Sequence, residues 1–148
     1  MATYGEKAEA LFYEGYNCAQ AVLCAFESVT GLERATAAAI ASSFGGGLGR
    51  MREVCGAVSG AAMVLGIVRG GYDPRDHAAK AAHYRLVQEF VRLFRQENGS
   101  IICRELLKPL NEGTGGAPEP RTAAYYQKRP CPEIVRRAAA LTAQLLEL

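Results

Sequence analysis

The sequence predicts an all-α fold, a compact bundle of about six or seven helices in a single domain. Three observations predict it. Apolar residues recur at three- and four-residue spacing along most of the chain, no β-branched segment alternates as a strand would, and Gly, Pro, Asn and Ser fall where helices need caps and breaks. A chain of 148 residues with 49% hydrophobic and 22% charged residues is long enough for one core and too evenly mixed to be disordered. No repeat or linker divides it, so residues 1–148 read as one helical domain.

The elements follow in order. Thr3 to Tyr13 carries Tyr4, Ala8, Leu11 and Phe12 at helical spacing, and Gly15 ends that helix. Asn17 caps the next, with Gln20 completing an Asn capping box and Cys18, Val22, Ala25, Phe26 and Val29 along it. Glu33 to Phe44 is alanine-rich and stops at the glycines Gly45 to Gly49, which read as a tight turn. The apolar run Ala57 to Val68 follows, where Gly56, Ala57, Gly60 and Ala61 make a small-residue face for close helix packing. Asp73 as cap and Pro74 at the first position open a long helix of about 24 residues, with Ala79, Ala82, Leu86, Phe90 and Leu93 as its buried stripe and His83 among them. Ser100 caps a helix through Leu107, Asn111 to Pro120 is loop, and Pro132 sits at the first position of the last helix with Cys131 as cap.

Charge and patterning exclude some partners. Seventeen basic residues stand against 15 acidic ones without a polybasic stripe, so neither nucleic acid nor an anionic membrane surface is expected. No apolar run reaches the length of a membrane span, and residues Met1 to Lys7 lack a signal-like charged and apolar pattern. The expected location is cytoplasmic. The small-residue faces are compatible with a homodimer but do not demand one.

Chemistry concentrates in the cysteines. Cys18, Cys55, Cys103 and Cys131 each fall in the first turn of a predicted helix, where unpaired N–H groups and the positive end of the helix dipole favour thiolate. Cys24, between Leu23 and Ala25, reads as core. No Cys-x-x-Cys occurs, so any shared site must be assembled by tertiary folding. Four converging thiolates would repel, and three states relieve this: zinc, an iron–sulfur cluster, or a thiol–disulfide couple. Arg50, Arg52, Arg104, Lys128 and Arg129 lie near in sequence and favour thiolate; Glu53, Glu105 and Glu133 oppose them. Tyr125 and Tyr126 read as cover for the core.

The residues Gly15-Tyr16-Asn17-Cys18-Ala19-Gln20-Ala21-Val22, Phe44-Gly45-Gly46-Gly47 before Cys55-Gly56-Ala57-Val58-Ser59-Gly60, then Cys103-Arg104-Glu105-Leu106-Leu107 and finally Cys131, carry a resemblance. Over roughly residues 10 to 140 the chain resembles the C-GCAxxG-C-C family of redox-active proteins. The family label writes Gly-Cys-Ala where this chain reads Cys55-Gly56-Ala57, taken as the same element. The resemblance implies a small helical protein with four signature cysteines and a redox role. A similar module is also fused to c-type haem proteins and linked there to an iron–sulfur cluster; without Cys-x-x-Cys-His, covalent haem is not implied here.

The expectation is therefore a four-cysteine site, Cys18, Cys55, Cys103 and Cys131, working by electron or thiol–disulfide transfer with a redox partner the sequence does not name. The alternative makes the same four cysteines ligands to an iron–sulfur cluster or zinc. A third reading is a helical interaction protein with structural thiols.

Overall fold

A computed structural model describes residues 1–148. It contains nine α-helices and no strand: α1 (Tyr4–Tyr13), α2 (Cys18–Ala25), α3 (Glu27–Thr30), α4 (Arg34–Ala41), α5 (Gly56–Arg69), α6 (His77–Asn98), α7 (Cys103–Leu106), α8 (Ala123–Lys128) and α9 (Cys131–Leu145). The count exceeds the six or seven expected for two reasons. The helix predicted through Val29 breaks at Phe26, whose turned backbone sends its ring flat onto Tyr4 with centroids 4.5 Å apart. In addition, Thr122 caps a short α8 by accepting from the Tyr125 N–H, in a stretch with no apolar period to announce it.

Caps decide the other differences. The α2 capping box is present as expected, Gln20 N–H donating to Asn17 and Asn17 N–H to the Gln20 side chain. The long helix starts later than predicted, because Asp76 caps it through the Ala79 N–H while Asp73 closes a preceding turn with the Arg75 N–H. Its buried stripe is shorter too: only Phe90 and Phe94 are fully buried, whereas Ala82 is exposed and Ala79, His83, Leu86 and Leu93 are half-buried. α6 packs on α5 and α9, and both of its fully buried side chains lie in its C-terminal half. Ser100 accepts from the Ile102 N–H, so α7 opens directly at Cys103 rather than two residues earlier. In α9 the cap is Pro130, and Cys131 itself is the first helical residue, with Pro132 second.

The core lies where α1 packs against α9 and α2 packs against α5. Phe12, Phe26, Phe90, Phe94, Leu23 and Leu65 are its largest fully buried side chains, each contributing about 2 kcal/mol of hydrophobic stabilisation. The small-residue face of α5 performs as its spacing predicts. A Cβ on Gly60 would stand 2.7 Å from the Ala19 carbonyl oxygen, and one on Gly56 3.1 Å from the Cys18 Cβ, so α2 and α5 meet backbone to backbone. That closeness sets the start of α2 against the start of α5.

Candidate functional site: a four-cysteine cavity

Two devices bring the remaining helix starts to the same place. Residues 52–55 run antiparallel to residues 101–104 around a lone bridge between Val54 and Ile102. The Cys55 N–H donates to the Ile101 carbonyl at 2.7 Å, and the Cys103 N–H to the Glu53 carbonyl at 2.6 Å, which fixes both cysteines side by side. The second device is the glycine loop. Gly46, Gly47, Leu48, Gly49 and Arg50 all have positive φ, as does Arg52, so the chain makes a left-handed coil between α4 and α5. Leu48, Arg50 and Arg52 each adopt this geometry at a cost of ~1–2 kcal/mol. At Gly47 the coil passes so close to α7 that a Cβ would lie 2.7 Å from the Cys103 Cβ. The expected tight turn is thus a strained wall built against a cysteine.

All four signature cysteines line one cavity of about 480 Å³, with Cys18 at the start of α2, Cys55 at the cap of α5, Cys103 at the start of α7 and Cys131 at the start of α9. Cys55, Cys103 and Cys131 are buried and Cys18 remains partly open to solvent. Cys24 is elsewhere, buried in the core with its thiol directed at the Arg34 carbonyl. All five thiols are free.

The thiols are not equivalent. Cys18 and Cys131 are neighbours that move each other's affinity for a proton in opposite directions: Cys18 is raised well above the ordinary thiol range, while Cys131 is lowered to about 7. Burial opposes the lowering at Cys131, and the Arg129 guanidinium, 3.8 Å from its sulfur, adds to it. Burial pushes Cys55 up to about 12, although the Ala57 and Val58 N–H groups at the start of α5 face its sulfur. Cys103 is likewise raised by burial, and the Arg52 guanidinium, 3.6 Å from its sulfur, opposes the shift.

Arginines line the wall with the cysteines. Arg50, Arg52, Arg121 and Arg129 all face the cavity. Glu112 pairs with Arg52 and Arg129, while Glu119 pairs with Arg50, Arg52 and Arg129; Arg50 holds the Glu119 carboxyl down at about 2. Arg121 lies over the rings of Phe12 and Tyr125, 4.3 Å and 4.9 Å from their centroids, and donates to the Phe12 and Tyr16 carbonyls at 2.9 Å. Tyr125 lines the cavity under Arg129, and burial pushes its hydroxyl up to about 12. Tyr126 instead directs its hydroxyl to the Phe12 and Tyr13 carbonyls, as a cover for the core would.

Sequence proximity identifies only part of this wall. Arg50, Arg52 and Arg129 are in it, but Arg104 is exposed and paired with Glu53, Lys128 is exposed, and Glu105 and Glu133 point to solvent. The acidic partners that matter are Glu112 and Glu119, which with Arg121 come from the loop before α8. No pattern in the sequence marks them, beyond one arginine and two glutamates in a stretch of otherwise small or proline residues.

No three Cys, His, Asp or Glu side chains are grouped closely enough to hold a metal ion together. No helix is long and apolar enough to cross a membrane.

No curated protein and no solved structure matches the chain. A family model does, over residues 16–145, from Tyr16 ahead of Cys18 to the end of α9. With all four signature cysteines inside that span and lining one cavity, the chain belongs to the family described as "putative redox-active protein (C_GCAxxG_C_C)".

Proposed function

We propose that this protein is a dithiol–disulfide redox protein in which Cys131 is the attacking thiolate and Cys18 the resolving thiol. The observation that carries the reading is the placement of these two thiols in one cavity, with the Arg129 guanidinium on the sulfur of Cys131. A thiol that ionises near 7 is a thiolate about half the time at neutral pH and keeps substantial nucleophilicity.

The chemistry runs in two exchanges. The Cys131 thiolate attacks one sulfur of a substrate disulfide; a mixed disulfide forms at Cys131, and the other half of the substrate leaves as a thiolate. The leading cause of the raised affinity of Cys18 for its proton is the Cys131 sulfur beside it. Once that sulfur is tied up in the mixed disulfide, Cys18 gives its proton to the departing thiolate and attacks Cys131. The Cys18–Cys131 disulfide forms and the second half of the substrate leaves. The protein loses two electrons and the substrate gains them. Cys55 and Cys103, raised by burial, are the neutral thiols of the wall.

The test is stoichiometric. Fully reduced protein mixed with a small disulfide should release two small thiols and lose two protein thiols per turnover. Cys18→Ser should stop at a mixed disulfide on Cys131, Cys131→Ser should not react at neutral pH, and Cys24→Ser should behave as the parent. Undiminished two-thiol oxidation in Cys131→Ser would refute the assignment.

A further inference from the structure

We infer that the cysteine cavity is an anion site, and that the disulfide it processes is a small molecule bearing a carboxylate or a similar oxyanion, held by the arginine wall beside Cys131. The word disulfide rests on the function proposed above; the anion site stands on three observations of its own.

The first is charge. Arg50, Arg52 and Arg129 share only two carboxylates, Glu112 and Glu119, and Arg121 has none, donating to the carbonyls of Phe12 and Tyr16 instead. The wall therefore carries a surplus of positive charge in a partly enclosed space, where attraction for an anion is screened less than on an open surface.

The second is a pair of orphaned donors. The Nε–H groups of Arg50 and Arg129 are buried and have no hydrogen-bond partner, although the Arg129 side chain is only 4% exposed. Buried donors are almost always satisfied, so an unpaired one in a cavity wall marks the place of an acceptor. A carboxylate or other oxyanion supplies several acceptor lone pairs and suits the guanidinium fork.

The third is size. About 480 Å³ is the volume of a small-molecule pocket, and the sulfur of Cys131 lies within it rather than at a surface. A disulfide on the face of a folded protein would not reach Cys131, so the substrate is small. The orphaned donor on Arg129 places the anionic end within one side chain of the attacking sulfur.

Three small disulfides of similar length separate charge from reactivity: dithiodipropionate (anionic), hydroxyethyl disulfide (neutral) and cystamine (cationic). The rate of oxidation of the reduced protein by each is divided by the rate of the same disulfide with free dithiothreitol. The expected order is anionic, then neutral, then cationic, with at least about tenfold between the extremes, equivalent to ~1.4 kcal/mol. Inorganic sulfate and the variants Arg50→Gln and Arg121→Gln should narrow that spread. Equal normalised rates, or a preference for cystamine, would overturn the anion site while leaving the redox reading intact. Calorimetry of dithiodipropionate with the Cys18→Ser/Cys131→Ser double variant tests binding without exchange. Saturable binding weakened by Arg50→Gln supports the anion site even if no disulfide is ever reduced, and absence of heat overturns it.

Discussion

Arg129 and Cys131 flank Pro130, and the turn at that proline folds the arginine back so that its Nη1 lies 3.8 Å from the Cys131 sulfur while its Nη2 reaches Glu112 and Glu119. One buried guanidinium thus ties the reactive thiol to the loop before α8. Removing it should cost both parts. Arg129→Gln should raise the pKa of Cys131 and slow its alkylation by iodoacetamide at neutral pH by about tenfold, the equivalent of one pKa unit. Arg129→Lys should recover part of the rate, since it keeps the charge but not the fork. Alkylation followed by peptide mass mapping checks this residue by residue.

The partner thiol should matter as much. In Cys18→Ala the leading cause of the lowered Cys131 value is gone, so the pH–rate profile for alkylation of Cys131 should move upward from about 7 toward the ordinary thiol range. A profile unchanged in Cys18→Ala would show that the pairing does not tune Cys131.

Stability should depend on pH through the same thiols. Cys131 is lowered from 9.0 to about 7, so the unfolded chain binds the extra proton between those values. Stability from this group is present above pH 9 and is lost as the pH falls through about 7. Cys55 has the opposite sign: raised to about 12, it contributes stability that is fully present below pH 9 and is lost as the pH rises toward 12. Urea unfolding under reducing conditions should therefore give a denaturation midpoint that climbs from pH 7 to about 9 and then declines. Cys131→Ser should abolish the climb and keep the decline.

The glycine loop should be intolerant where it touches the site. Gly47→Ala would combine a positive φ of 72° with a Cβ 2.7 Å from both the Cys103 Cβ and the Glu53 nitrogen, and should destabilise by about 2–4 kcal/mol. Gly99→Ala, also at positive φ but facing open space, should cost only about 1 kcal/mol. Equilibrium unfolding of the two variants gives the comparison.

Much of this is legible in the sequence alone. Helix caps and breaks placed Cys18, Cys55, Cys103 and Cys131 at helix starts to within a residue or two, and Cys24 in the core, because those features are local. The convergence of the four starts was not local. It depends on the backbone contact of α2 with α5 and on the two-residue clamp at Val54 and Ile102, which is too short to show an alternating pattern. Glu112, Glu119 and Arg121 were invisible for the same reason: they act across the cavity from a loop with no periodicity. The Asp73 cap failed because two aspartates compete before α6 and the nearer, Asp76, takes the helix.

The most direct measurement is disulfide mapping of the oxidised protein. Reduced protein treated with one equivalent of a small disulfide, trapped by alkylation and digested, should yield a peptide pair linked between Cys18 and Cys131, with Cys24, Cys55 and Cys103 alkylated. A linkage between Cys55 and Cys103, or random linkages among the four, would contradict the assignment of Cys18 and Cys131 as the working pair.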